Sequence, residues 1–84
     1  MRTLEQIRKD FDTTDREICR LLEKRMSLAQ EIAKVKRIEN IPIVQRNRQQ
    51  EVMAQWVDNC PSFAHESIKQ IYNIIHEESV KQQL

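Results

Sequence analysis

The longest pattern in the chain is an apolar seam that runs from Leu4 to Val35. Apolar residues recur along it at spacings of three and four positions, which is the period of one face of an α-helix. The seam consists of Leu4, Ile7, Phe11, Ile18, Leu21, Leu28, Ile32 and Val35. No Gly or Pro interrupts it, and Thr3 followed by Gln6 forms a capping-box pattern at its start. The sequence therefore predicts one helix from Leu4 to about Arg37 or Ile38.

A helix of this length would measure about 50 Å, roughly twice the diameter of a compact domain of this size. One short chain cannot cover such a seam, so we expect a second copy of the chain to cover it. Two seam positions are polar, Thr14 and Arg25. A guanidinium at an apolar interface needs a counter-charge, because leaving a buried cation unpaired costs several kcal/mol by order of magnitude.

Two breaks divide the rest of the chain into shorter helices. Asn40 and Pro42 end the first helix, and the segment Asn59–Ser62 contains the second proline. A second helix is predicted over about Gln45–Asn59, with the apolar stripe Val52, Met53, Trp56 and Val57. A third is predicted from about Ala64, with a stripe of Ile68, Ile71, Tyr72 and Ile75 that continues through Ser79 to Gln83. One very long and two shorter helices indicate an all-α fold, closed as an intertwined homodimeric helical bundle with antiparallel long helices.

Composition agrees with this picture and narrows the class of protein. The chain has 84 residues, no Gly and two Pro, and its apolar and charged fractions of 39% and 32% are typical of a folded globular protein. We expect a single domain over residues 1–84. The net charge of +1 provides no overall basic surface for nucleic acid.

The N-terminal segment and the cysteines bear on the cellular compartment. The first residues lack the apolar core of a signal peptide, and no run of residues reaches transmembrane length. Cys19 and Cys60 are expected to be free thiols in a reducing environment. We therefore expect a cytoplasmic protein without a membrane partner.

Several polar side chains lie on or beside the apolar faces, where they are expected to be shielded from solvent. The set comprises Arg8, Arg25, Lys36, Arg48, Gln49, Ser79 and Gln83, and it contains no anion. Each has a structural alternative. The cations can extend to solvent, Arg25 can pair with a glutamate, and the polar end of the third helix can fray.

The spacing of these cations indicates a shared binding site. Arg25 and Lys36 are about 16 Å apart along one helix, so their long side chains can converge on one small molecule. Arg8 is about 25 Å from Arg25 on the same helix, and it would reach such a site only from an antiparallel partner. The set predicts two equivalent sites for a small, multiply anionic ligand.

Other chemistries find little support in the residues. Neither cysteine has a partner base. His65 and His76 would be about 16 Å apart on the third helix, too far to share a metal ion. No HExxH, CxxC pair, Walker loop or GxGxxG motif occurs. We expect neither a metal nor a cofactor.

The chain resembles the all-helical, AroQ-type chorismate mutases over almost its whole length, from Leu4 to Gln83. The matching stretches are IRKDFDTTDREICRLLEKRMSLAQEIAKVK, IPIVQRNRQ and IIHEESVKQQ. The resemblance implies rearrangement of chorismate to prephenate, in the biosynthesis of phenylalanine and tyrosine, by a homodimer with shared sites and no cofactor.

The resemblance also implies roles for individual residues. Arg25, Arg48 and the partner chain's Arg8 would bind the substrate carboxylates, with Ser79 donating a further hydrogen bond. Lys36 and Gln83 would donate to the ether oxygen of the breaking bond. The catalytic side chains would then be Lys36, Gln83 and Arg25.

The sequence departs from the family pattern at two positions near the expected ring hydroxyl. Gln45 and Gln49 stand where the family often has acidic residues. An amide accepts a hydrogen bond without the charge assistance of a carboxylate. Alternatives therefore stay open on the same scaffold: an isochorismate pyruvate lyase, an aminodeoxychorismate mutase, or a non-catalytic regulatory or dimerisation domain.

Overall fold

Helix α1 spans Leu4–Glu39 and forms the long axis of the molecule, which measures 56 × 24 × 15 Å. The computed structural model describes residues 1–84. The predicted capping box is present: the Thr3 side chain accepts from the Gln6 amide, and the Gln6 side chain accepts from the Thr3 amide. The helix ends at Asn40, which adopts the left-handed conformation (φ 56°) that Asn tolerates better than most residues.

Two shorter helices follow, α2 over Arg46–Asn59 and α3 over His65–Gln83. Helix α3 packs against the C-terminal half of α1, and α2 packs against α3. The all-α prediction is confirmed, and the three helices begin and end within about one or two residues of the predicted positions, as expected for helix termini.

The buried core is small and lies between α1 and α3. It contains only Ala29, Ala33, Ile68 and Tyr72 among the apolar residues. On α3 the predicted stripe is thus only partly buried, because Ile71 is 38% exposed at its edge. Three polar side chains join this core, and they are Lys36, Ser79 and Gln83.

The apolar seam of α1 is not covered within the chain. Leu4 and Phe11 are 63% and 65% exposed, and the seam remains about half exposed as far as Val35. The surface of α1 that faces α3 is a different one, carried by Leu22, Ala29, Ala33 and Lys36. None of the three helices is both long enough and apolar enough to span a bilayer.

Candidate active site

All three helices contribute to one pocket of about 430 Å³, a volume suited to a small metabolite. Helix α1 contributes side chains from Arg25 to Lys36, and α2 and α3 contribute most of the remaining lining. The polar residues predicted to form the site, other than Arg8, all line it: Arg25, Lys36, Gln45, Arg48, Gln49, Ser79 and Gln83. We call this the cationic pocket.

Arg25 is held in the pocket by α3. Its Nη1 atom donates to Ser79 Oγ at 2.5 Å, and Ser79 Oγ donates in turn to the carbonyl oxygen of Ile75 at 2.9 Å. No glutamate of the same chain pairs with Arg25. The hydroxyl orients the guanidinium without neutralising it, which leaves the charge available for a ligand.

Lys36 is the most deeply buried cation of the pocket, with a residue exposure of 9%. Its Nζ atom donates to the carbonyl oxygen of Ile43 at 2.7 Å and to Gln83 Oε1 at 2.9 Å. An ammonium group has three hydrogens, so one donor remains for a ligand. Burial lowers the pKa of Lys36 below that of a free lysine, because desolvation disfavours the charged form.

Gln83 completes this network from the last turn of α3. Because its carbonyl oxygen accepts from Lys36, its amide nitrogen is directed elsewhere and donates weakly to the carbonyl oxygen of Ser79 at 3.3 Å. The backbone carbonyl of Gln83 also accepts from Arg37 at 3.2 Å. These contacts hold Gln83 in the last turn of α3, where it is 7% exposed.

The α2 side of the pocket is more open. Arg48 lies at the rim and pairs with Glu51 one turn later, with Nη1 and Oε1 2.6 Å apart. Both side chains are more than half exposed, so this ion pair contributes little to stability. Gln49 is half-buried beside Arg48, and Gln45 precedes the helix as its N-cap residue. A side chain held only by an exposed ion pair can turn toward a ligand at small cost.

Arg8 is the one predicted site residue that lies outside the pocket. It is exposed on the N-terminal half of α1, where every residue as far as Leu21 is exposed. This separation agrees with the expectation that Arg8 cannot reach the site of its own chain.

Sequence reasoning missed four polar or aromatic side chains that also line the pocket: Gln55, Trp56, Tyr72 and His76. The two aromatic residues were predicted to be core, and they do pack edge-to-face with ring centroids 5.5 Å apart. His76 had been considered only as a metal ligand. The signal that could have identified it is its spacing, because His76 lies four residues after Tyr72 and three before Ser79, on the same face of α3.

The electrostatics of the pocket are one-sided. Three cations line it, and no carboxylate does. Burial raises the pKa of the Tyr72 hydroxyl, although Arg25 and Arg48 partly oppose that effect, so Tyr72 stays neutral and adds no negative charge. No cluster of His, Cys, Asp and Glu side chains is arranged to hold a metal ion. The pocket can bind and orient a small dianion, and it holds donors where negative charge could develop.

Comparison with known proteins identifies the family to which this chain belongs. Residues 7–84 match the family described as chorismate mutase type II. A bifunctional chorismate mutase/prephenate dehydratase of Aquifex aeolicus is 40% identical over 52 residues, which is 62% of this chain and 14% of that protein. The chain thus spans a small part of the curated relative that it matches. No solved structure is significantly similar to it. Since the family match covers nearly the whole chain, this protein belongs to the chorismate mutase type II family.

Proposed function

We propose that this chain catalyses the Claisen rearrangement of chorismate to prephenate, in the biosynthesis of phenylalanine and tyrosine. The observation that carries this proposal is the cationic pocket, where three cations meet hydroxyl and amide donors with no carboxylate among them. A dianionic substrate suits this charge. The reaction is a one-step pericyclic rearrangement that requires no nucleophile, no proton transfer and no metal. Membership of the chorismate mutase type II family supports the same assignment.

Substrate binding falls to the arginines and their neighbours. Arg25 and Arg48 bind the two carboxylates, because a guanidinium presents a planar fork of donors that matches a carboxylate. Arg48 exchanges its rim contact with Glu51 for the substrate. Ser79 likewise turns its hydroxyl hydrogen from the carbonyl oxygen of Ile75 to a substrate carboxylate. Gln45 and Gln49 lie near the ring hydroxyl, where their amide oxygens can accept its hydrogen.

Rate acceleration has two sources in this arrangement. The first is confinement of a flexible dianion in the compact, chair-like geometry from which it reacts. The second is stabilisation of the negative charge that develops on the ether oxygen as the C–O bond breaks. Lys36 and the amide nitrogen of Gln83 supply that charge stabilisation, and one such pre-placed donor is worth about 3 kcal/mol.

The site is completed by a second copy of the chain in an antiparallel homodimer. The exposed apolar seam supports this part of the proposal, since large apolar side chains along a whole helix face are rarely left in water. Arg8 of the partner subunit then enters the pocket beside Arg25. Each dimer has two equivalent sites, and each site uses both chains.

The decisive experiment measures the loss of chorismate absorbance on adding purified protein, with the products identified by chromatography. We expect prephenate to be the sole product. Isochorismate and aminodeoxychorismate serve as parallel substrates, because Gln45 and Gln49 stand where the family often has acidic residues near the ring substituent. Preferred cleavage of isochorismate to salicylate and pyruvate would replace the proposal with a lyase. No turnover of any of the three would favour a non-catalytic domain.

A further inference from the structure

His76 has a position in the cationic pocket that the proposed reaction does not use. It is half-buried on the α3 wall, between the two positions occupied by Tyr72 and Ser79. Its ring stacks on that of Tyr72, with centroids 5.7 Å apart and an interplanar angle of 23°. Neither imidazole nitrogen has a hydrogen-bond partner within the chain. Among the side chains that line the pocket, only an imidazole normally changes its charge near neutral pH.

The charged groups around His76 come from all three helices. Arg25 and Lys36 face it from α1, and Arg48 lines the same pocket from α2. On its own helix the nearest charge is the carboxylate of Glu77. Burial lowers the pKa of His76 most, Arg25 and Lys36 lower it further, and Glu77 opposes them. The imidazole therefore binds a proton less readily than a free histidine does.

We infer that His76 is a ligand-responsive binding residue, whose imidazole takes up a proton from solvent when a dianionic substrate occupies the cationic pocket. The inference rests on the proposed function for the identity of the dianion and extends it with a residue that tunes affinity. It assigns His76 no part in the rearrangement itself.

The physical reason is the charge that the ligand brings. Two carboxylates compensate the positive charges of Arg25 and Lys36, which otherwise repel a proton from the imidazole. A proton taken up on binding also means that binding is tighter at lower pH, since linkage is reciprocal. If binding raises the pKa by about one unit, affinity well below both pKa values is about tenfold higher than well above them. The ligand carboxylates remain ionised above about pH 5, so they contribute little to this dependence.

The direct test follows the two imidazoles by NMR, with prephenate as the probe. His65 is the internal control, because it is exposed at the start of α3 and does not line the pocket. Saturating prephenate should raise the His76 pKa, and it should leave the ring chemical shifts of His65 unchanged. A His76 pKa that is unchanged or lowered by bound prephenate would overturn the inference.

A variant pair separates titration from packing. His76→Phe keeps an aromatic ring against Tyr72 but cannot be protonated, and His65→Gln is the matched control. The dissociation constant of prephenate should be several-fold lower at about pH 5.5 than at about pH 7.5 for the wild type and for His65→Gln, and it should be flat for His76→Phe. The inference fails if His76→Phe keeps the full pH dependence.

Chorismate turnover is measured separately, so that failure of the proposed function can be recognised. Proton uptake with prephenate but no turnover would refute the reaction and leave the role of His76 intact. Turnover of chorismate without proton uptake on prephenate binding would support the reaction and refute the role of His76.

Discussion

The two halves of α1 carry the same apolar seam but have different surroundings. In the N-terminal half, from Leu4 to Leu21, every residue is exposed. In the C-terminal half the seam is about half exposed, but a second face carrying Ala29, Ala33 and Lys36 is buried against α3. The N-terminal half therefore has one apolar face, which is exposed. The C-terminal half has the same exposed face and a second face that is buried against α3.

The buried face and the exposed seam of α1 therefore differ in what they contact, although both repeat with the period of one helix. The Ala face organises the chain's own fold, because small side chains allow α3 to approach closely. The seam, with its larger Leu, Ile and Phe side chains, has no partner within the chain. The cationic pocket forms on the side where the chain packs on itself, and Arg8 lies on the side where it does not.

The largest expected effect concerns the C-terminal half of α1, which packs against α3. Lys36→Ala should lower chorismate turnover by about a hundredfold or more, because the donor to the developing ether oxyanion is removed. Lys34→Ala is the matched control, since Lys34 is exposed on the same helix and does not line the pocket. Turnover is measured by chorismate absorbance, and circular dichroism checks the fold. Near-normal activity of a folded Lys36→Ala protein would refute its catalytic role.

The second prediction tests whether the N-terminal half of α1 in one chain meets the C-terminal half of α1 in its partner. Arg8→Ala and Lys36→Ala homodimers should each be nearly inactive. After mixing and chain exchange, half of the dimers are hybrids, and each hybrid has one site with both defects and one with neither. Activity should recover to about a quarter of the wild-type value, as twofold symmetry requires. If exchange is demonstrated by native mass spectrometry and activity does not return, the sites are not shared.

The third prediction concerns the seam of the exposed half. Phe11→Asp should shift the solution mass toward a single chain, because each buried Phe side chain contributes about 1.5–3 kcal/mol and the dimer buries two of them. Thr13→Asp introduces the same charge outside the seam and should leave the dimer intact. Analytical ultracentrifugation over a concentration series measures both. A wild-type protein that sediments as a single chain at assay concentration would contradict the dimer itself.

The smallest expected effect is a pH dependence of the pocket. Because burial lowers the pKa of Lys36, this side chain loses its proton at a lower pH than an ordinary lysine would. Turnover at saturating chorismate should therefore decline on the alkaline side before the range in which exposed lysines titrate. Circular dichroism at each pH separates this decline from unfolding. A rate that stays constant until exposed lysines lose their protons would show that the charge of Lys36 is not needed.

Much of the fold follows from local patterns. The seam predicted α1, and the Thr3–Gln6 capping box marked its start. Asn40 marked its end, because few residues other than Gly adopt the left-handed conformation easily. The face of α1 that packs on α3 was harder to predict from the sequence. Ala29 and Ala33 are only weakly hydrophobic, and Lys36 is polar.

The lining of the pocket was predictable where a polar residue interrupted an apolar pattern, as at Arg25, Ser79 and Gln83. It was less so for His76, Trp56 and Tyr72, whose residue types fit a core as well as a pocket wall. The rim pairing of Arg48 with Glu51 also required the structure, because many i, i+3 pairs are possible on any charged helix.

The sequence by itself determined the three helices, the unpaired seam and the surplus of cations on apolar faces, because helical periodicity and charge are local properties of the chain. Only the tertiary structure decided that Arg25, Lys36 and Arg48 surround one cavity with no carboxylate in its lining. It also decided that Lys36 is bonded to Gln83 across 47 positions of sequence. The physical reason is that α3 must fold back along α1 before residues so distant in the chain can share a hydrogen bond, and no local pattern specifies that contact.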